Sequence, residues 1–419
     1  MSKPLKVMII GAGTGGLCLA HGLAANGIAV EVFERDDSPT DRQPGYRLSI
    51  SSTGSAALRS CLPDAHYRKL VAKSADPSSR VTFLDHELNE LLHIDLPHAD
   101  READDAERPV SRAALRRILL EGVEHIVRFG RKFEAFADGP GGTVIARFAD
   151  GSAAEGDLLV GADGANSRMR AQLLPQAKRI DTGIAAVAGK VPLNDTNRAA
   201  IPAPILRGPT PIIGLGGCFL FASAVQYRSR PATVDTAADE REEEYVMWGF
   251  SARRARFART DLEDLGAADL KEAVLASMHG WHRALRHLIE AAEPSSVSTF
   301  TVKTSVPVPP WQTRNVTLLG DALHNMTPFR GIGANVALRD AAALRRALAA
   351  VNAGGKELLP ALAAYERDMI DYGFAAVRTS LADMERFHAE GTLSRMMTKA
   401  VFRAVNLMTP LRTVFLAGR

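Results

Sequence analysis

Cysteine is scarce in this sequence: 419 residues carry three, Cys18, Cys61 and Cys218, an odd number without Cys-x-x-Cys or zinc-type spacing. That argues against a disulfide framework and for a reducing compartment, with the cytoplasm as the default. Excess charge is missing as well. Lys and Arg number 51 against 48 Asp and Glu, a formal net charge of +3, which leaves no electrostatic footprint for nucleic acid. Uninterrupted apolar runs are also lacking. Gly208 to Tyr227 is uncharged and long enough to span a bilayer, but Pro209, Pro211, Gly214, Gly216 and Gly217 break it, and it reads as two strands joined through Gly214 to Gly217. The run Val7 to Ile10 meets Gly11 too early to be a signal-peptide core. No fixed-period repeat is present. Neither nucleic acid nor a membrane is an expected partner.

What is present is an ordinary globular composition, 46% hydrophobic and 24% charged, with a mean hydropathy of −0.05. At about 150 residues per domain the length predicts two or three domains and a sizeable core. Lys6 to Ile10 reads as a buried strand, Gly11 to Gly16 as a glycine loop, Leu17 to Ala25 as a helix stopped by Asn26-Gly27, and Ala29 to Glu34 as the next strand. This β-α-β unit predicts an α/β, Rossmann-like domain with a doubly wound sheet.

Further on, Asp95 to Arg108 is charge-dense and reads as an exposed loop, and its His98 lacks the ligand spacing of a metal site. Ser111 to Val123 reads as an amphipathic helix, and Thr143 to Phe148 and Gly156 to Val160 as strands. From Ile180 to Val306, strand-like pieces separated by Gly and Pro predict an inserted sheet-rich domain, in which the acidic run Asp239 to Glu244 is a solvated turn or helix face. Tyr245, Met247 and Gly249 alternate with Val246, Trp248 and Phe250. One of these two faces is a candidate cavity lining, and core packing is the expected fate of most of the residues. Val316 to Leu319 returns as a buried strand, Ala337, Ala341, Leu344, Leu348 and Val351 recur at helical spacing, and Tyr365 to Arg386 and Thr392 to Leu416 complete a helical C-terminus.

The first chemical signal is Gly11-Ala12-Gly13-Thr14-Gly15-Gly16, a G-x-G-x-x-G match between strand and helix. The first glycine permits the tight turn, the second lets a pyrophosphate approach the backbone, and the third lets helix and strand pack closely. The helix start then offers N–H donors and partial positive charge to phosphates. Glu34, at the end of the second strand with Arg35 beside it, supplies a carboxylate for ribose hydroxyls. These residues, Thr14 and Gly15 included, are the candidate dinucleotide contacts. The fingerprint alone does not choose FAD over NAD.

Two further stretches do. Gly161-Ala162-Asp163-Gly164-Ala165-Asn166-Ser167-Arg168 resembles the second fingerprint of the class A flavoprotein monooxygenases, the para-hydroxybenzoate hydroxylase-like family. Leu318-Leu319-Gly320-Asp321-Ala322-Leu323-His324, continued by Pro328, Gly331, Gly333, Ala334 and Asn335, resembles the third. The resemblance covers positions 7 to about 350 in order, and it implies FAD as cofactor. It gives Gly320-Asp321 the ribityl hydroxyls, and it brings the helix start at Pro328 to Asn335 under the pyrimidine edge of the flavin. Asp163 would link flavin and pyridine nucleotide, with Arg168 supporting that loop. Arg112 would contact the chain joining the two halves of FAD, or else be a surface arginine. Arg47 would face the ring or pair with a nearby carboxylate. Arg47, His324 and Pro328 are the candidate catalytic residues, although for His324 a role in fixing local backbone is favoured over proton transfer. Leu323 stands where the family commonly has alanine, and no Gln lies between Gly331 and Gly333.

The activity implied by this resemblance is that of a single-component monooxygenase. NADPH or NADH, bound transiently, reduces FAD, dioxygen adds to give a flavin hydroperoxide, and an aromatic or polycyclic small molecule is hydroxylated or epoxidised. The implied division is 1–179 and 307–360 for the two parts of the FAD-binding domain, 180–306 for a substrate-binding sheet domain, and 361–419 for C-terminal helices. A halogenase is disfavoured because Trp248, Trp281 and Trp311 lie too far apart for a W-x-W-x-I-P signature. A flavin reductase or dehydrogenase, and a flavin-retaining ligand-binding protein, are the alternatives.

Overall fold

The computed structural model describes residues 5–39, 46–96, 106–227, 243–259, 261–391, 400–402 and 406. The chain forms two compact units. The first takes Met1–Ser74, Asp100–Ile180 and Lys303–Leu381, and the second Ala75–Ala99, Asp181–Val302 and Ala382–Arg419.

The first unit is built on a five-stranded parallel sheet in the order Val316–Leu318, Leu158–Gly161, Lys6–Ile10, Ala29–Phe33, Val127–Arg128. The central strand has Val7, Met8 and Ile9 fully buried, the continuous apolar pattern of a strand covered on both faces. The fingerprint helix is Thr14–Ala24. It begins three residues before Leu17 because Gly15 and Gly16 lie in its first turn, and it stops where Gly27 turns to φ +68° and Asn26 Nδ2 donates to the Gly22 carbonyl at 2.7 Å. Its Leu17, Leu19 and Leu23 are fully buried, each contributing about 1.5–3 kcal/mol by area burial.

The expected helix near Ser111 is Arg112–Leu120, with the Ser111 hydroxyl as cap accepting from Ala114 N–H at 3.0 Å. The Ala337 to Val351 stripe lies on Gly333–Asn352, where Ala341, Leu344 and Leu348 are buried. A long helix, Leu358–Phe387, contains the expected Tyr365 to Arg386.

The second unit holds a seven-stranded sheet in the order Ser298–Ser305, Arg179–Pro192, Tyr245–Arg253, Phe219–Val225, Thr210–Ile213, Arg80–Asp85, Glu90–Asp95. Thr210–Ile213 and Phe219–Val225 pair antiparallel across Gly216 and Gly217, both at positive φ, as the broken apolar run predicts. Among the described residues no helix is long and apolar enough to cross a membrane.

The sequence division differs from the observed units in one place above all. The 75–99 stretch leaves the N-terminal segment to join the second sheet, because Leu84 and Asp85 pair in parallel with Ile212 and Ile213. The 382–419 stretch also groups with this unit. The expected helix Thr392 to Leu416 lies outside the described residues except at 400–402 and 406.

Candidate functional site

Open α/β sheets bind ligands beyond the carboxyl ends of their strands, and there the first unit gathers Gly11, Glu34, Asp163 and Gly320-Asp321. A Cβ on Gly11, whose φ is +109°, would fall 2.4 Å from the Ala162 carbonyl oxygen; one on Gly16 would fall 2.1 Å from the Gly11 oxygen, and one on Gly15 2.7 Å from Leu319 Cδ1. Gly11 and Gly16 are required by the protein's own backbone packing, and Gly15 packs against a side chain that could shift. Gly13 is under no such constraint: its φ is −84°, and no atom lies within 4 Å of where its Cβ would be. The room left at Gly13 fits a pyrophosphate approaching the backbone. Leu17 N–H makes the first bond of the helix, to the Gly13 carbonyl at 3.0 Å, so the N–H groups of Thr14, Gly15 and Gly16 have no intrahelical acceptor. Glu34 is 2% exposed; its Oε2 accepts from Ala12 N–H at 2.7 Å and its Oε1 from Arg35 and Asp36 N–H at 2.9 and 3.2 Å. These bonds fix the carboxylate and leave lone pairs for a ribose. Arg35 itself is exposed.

In the second fingerprint, Asp163 Oδ2 accepts from the N–H groups of Arg168 and Met169 at 2.8 and 3.2 Å, while Oδ1 is buried with no hydrogen-bond partner among the described residues. Burial pushes this carboxyl above its ordinary pKa. Arg168 braces this loop through its backbone N–H, while its side chain is exposed. Arg170 and Arg179 brace it with their side chains. Arg170 donates to the Ala322 and Ala165 carbonyls at 2.8 and 3.1 Å, and Arg179 to Asn325 Oδ1, Asn166 Oδ1 and the Ala165 carbonyl at 2.9, 2.8 and 3.1 Å. Together they tie the second fingerprint to the third.

In the third fingerprint Gly320 adopts φ +62°, and Asp321 is exposed with Oδ1 3.9 Å from the Cβ position of Gly333. Pro328–Arg330 form a short turn that Gly331 closes at φ +64°. Val336 N–H makes the first bond of the next helix, to Ile332 O at 3.0 Å, so Gly333, Ala334 and Asn335 present N–H groups without intrahelical acceptors. The Asn335 side chain is already engaged. Its Oδ1 accepts from Ser51 N–H at 2.9 Å and its Nδ2 donates to Ser49 O at 2.8 Å, so what it can offer a cofactor is its backbone. The amide thereby anchors the strand Arg47–Ile50, in which Arg47 pairs with Ser111, the neighbour of Arg112. Arg47 and Arg112 thus lie at the same end of a two-stranded ladder.

His324, one of the candidate catalytic residues, lies in the interior. Its ring is 1% exposed, its Nε2 is bonded to Asp340 Oδ2 at 2.7 Å, and a Cβ on Gly373 would lie 2.6 Å from its Cδ2. Burial alone would discharge the ring, but the charge and hydrogen bond of Asp340, with a further contribution from Asp321, raise its pKa above the ordinary value. Asp340, which motif reading passed over, is fully buried and also accepts from Gly320 N–H at 2.7 Å and Tyr372 OH at 2.6 Å. A buried carboxylate without such partners would cost several kcal/mol. The signal for it was in the sequence: an aspartate flanked by Leu338, Ala341 and Ala342 on the buried face of a helix.

In the second unit, Val246, Trp248 and Phe250 are fully buried in the core, whereas Met247 and Gly249 are half-buried on the opposite face with nothing within 4 Å of the Gly249 Cβ position.

These features define a dinucleotide-binding fold whose glycine loop, acidic strand end and second helix start suit a flavin dinucleotide. The chain matches the FAD binding domain family over residues 4–380. It is 35% identical over 384 residues to the dual O-methyltransferase/FAD-dependent monooxygenase elcB of Phaeosphaeria nodorum, covering 84% of this chain and 41% of that protein. It is 27% identical to the 6-hydroxynicotinate 3-monooxygenase of Pseudomonas fluorescens, over 91% of each. It superposes on the crystal structure of a protein described as an FAD containing monooxygenase, from Photorhabdus luminescens subsp. laumondii TTO1, with a TM-score of 0.82 at 32% identity, covering 92% of this chain and 98% of that one. The chain spans less than half the length of the dual-function relatives it matches. It belongs to the FAD-binding-domain family, as a member of the class A flavin monooxygenases.

Proposed function

We propose that the chain is a single-component monooxygenase that uses NADPH or NADH and dioxygen to hydroxylate or epoxidise an aromatic or polycyclic small molecule. The observation that carries this reading is the convergence of three glycine-bearing stretches, with open space at Gly13 and a free helix start at Gly333 to Asn335. Bound FAD supplies the electron transfer and oxygen activation. The chain's own residues do the holding. Thr14, Gly15 and Gly16 offer N–H groups to the pyrophosphate, Glu34 accepts from the adenosine ribose, and Asp321 accepts from the ribityl chain. The start of the 333–352 helix would hold the flavin ring, and its dipole would favour added negative charge there by about 0.3–1 kcal/mol, and up to about 2 in a partly buried setting. Arg47 and Arg112 add positive charge, and Pro328 shapes the turn. Asp163 and its loop serve the pyridine-nucleotide side.

The relatives' names support oxygen transfer, and that of the 6-hydroxynicotinate enzyme supports a ring substrate. Met247 and Gly249 are the second unit's candidates for contact with it. The test is NAD(P)H consumption by FAD-reconstituted protein under ¹⁸O-labelled dioxygen with a panel of phenols, hydroxypyridines and polycyclic aromatics. Label in a product is the expected result. Reduction without label across the panel would make the chain a reductase, and neither would make it a flavin-retaining binder. Asp321→Ala should yield largely colourless protein, and full flavin content would count against its role.

A further inference from the structure

Asp340 lies about two turns inside the 333–352 helix, yet its contacts lead back to the Gly320 corner. One oxygen serves Gly320 N–H and His324 Nε2, the other the Tyr372 hydroxyl. The same corner packs on that helix one turn earlier, where a Cβ on Gly320 would come within 2.9 Å of Ala337 Cβ. The positive φ of Gly320 is a conformation L side chains avoid, so this peptide depends on glycine and on its acceptor. His324 reaches Asp340 because Gly373 leaves room for its ring in the middle of a long helix. The end of the Val316–Leu318 strand, the short helix Asp321–His324 and both long helices therefore meet at one carboxylate, and the outcome is that Asp321 stands beside Gly333.

We propose that Asp340 is a positioning residue for the flavin: by holding the Gly320 peptide and His324 it sets the Asp321 carboxylate against the start of the 333–352 helix, so that both meet the cofactor in register. This rests on the FAD reading of the site. The carboxylate does this through its acceptor atoms. Asp340→Asn keeps the acceptor for Gly320 and His324, since its single amide oxygen can serve both while its NH₂ donates to Tyr372 Oη. Asp340→Leu removes both acceptor oxygens, and with them all three hydrogen bonds, while keeping the branching of the side chain.

The test is FAD titration of the full-length apoprotein, with the visible absorption of bound FAD and the apoprotein Tm read in parallel. Asp340→Leu should bind FAD about 30-fold more weakly and shift its absorption band, the size expected for an unpaired buried donor. Asp340→Asn should stay within about threefold, with the parental spectrum. Tyr372→Phe, which spares the Gly320 bond, should lower the Tm and leave FAD affinity within about threefold. An Asp340→Leu protein with lowered Tm but parental FAD affinity and spectrum overturns the proposal, and so does an Asp340→Asn protein as weak as Asp340→Leu. If Asp340→Leu does not fold, Gly373→Ala, which must displace His324, should weaken FAD about tenfold, and parental affinity there overturns the proposal. A parental protein that takes up no FAD overturns the underlying reading itself, a result distinct from all of these.

Discussion

Each unit of the molecule buries a histidine, and the two rings are held in opposite ways. His324, in the first unit, bonds to a carboxylate, and that charge outweighs burial to favour the protonated ring. His388, in the second and also 1% exposed, bonds to Ser251 Oγ at 3.0 Å and to the Met384 carbonyl at 2.7 Å. Here burial, aided by the charge of Arg253, outweighs the two hydrogen bonds and pushes its pKa down to about 4. At equal depth, the neighbour's charge decides the protonation state. Glycine shows a parallel division. In the first unit Gly13, in the glycine loop, has open space at its Cβ position. In the second, a Cβ on Gly189 would fall 2.8 Å from the Trp248 ring, whereas Gly249, opposite Ala188 on the neighbouring strand, faces open space.

Four measurements would break or sharpen this contrast. The largest effect is expected from Gly13→Val, which fills the pyrophosphate space and should weaken FAD binding by about 100-fold or more, whereas Gly249→Val should leave FAD affinity unchanged and alter turnover of ring substrates. Equal FAD affinity for parent and Gly13→Val would remove the first unit's side of the comparison. Next come the histidines. His388 has a lowered native pKa, so the unfolded chain binds more protons between pH 6.5 and about 4, and acidification through that window should cost about 3 kcal/mol of stability. His388→Gln should flatten that limb in urea melts taken at stepped pH.

His324 has the opposite sign. Its raised native pKa stabilises fully below pH 6.5, and that stability is lost as pH rises through the native value. The alkaline limb of the parental profile should therefore shrink in Asp340→Asn, and an unchanged limb would deny the pairing its charge. The smallest pair of effects concerns packing. Gly189→Ala crowds Trp248 and should cost about 1–3 kcal/mol, while Gly249→Ala should lie within about 0.5 kcal/mol of the parent by thermal melting.

The local elements were largely legible in the sequence. Strand, glycine loop and helix from Lys6 to Glu34 show their period and turn residues within a few positions, as does the hairpin across Gly216 and Gly217. The glycine loops and strand-end carboxylates were legible because backbone approach and a carboxylate demand particular residue types. What escaped depends on contacts distant in sequence. Arg80–Asp85 joins the second sheet only through its pairing with Thr210–Ile213, which no local pattern encodes. Motif position does not say which way the Asn335 amide points, and its side chain bonds Ser49 and Ser51, which leaves its backbone N–H as the candidate cofactor contact. Arg170 and Arg179 went unnoticed beside Arg168 for the same reason. Asp340 was hidden inside an apolar stripe that reads as core.

The excursion of residues 75–99 from one unit into the other also governs how the polypeptide can be handled and made. Neither unit is a continuous stretch of chain, so no single cut in the coding sequence releases either one whole. During synthesis Arg80–Asp85 leaves the ribosome well before Thr210–Ile213 exists to pair with it, and the Val316–Leu318 edge strand comes later still. Such late, non-local pairing slows folding and prolongs exposure of unpaired strand edges. Truncated translation products should therefore aggregate rather than accumulate as folded fragments.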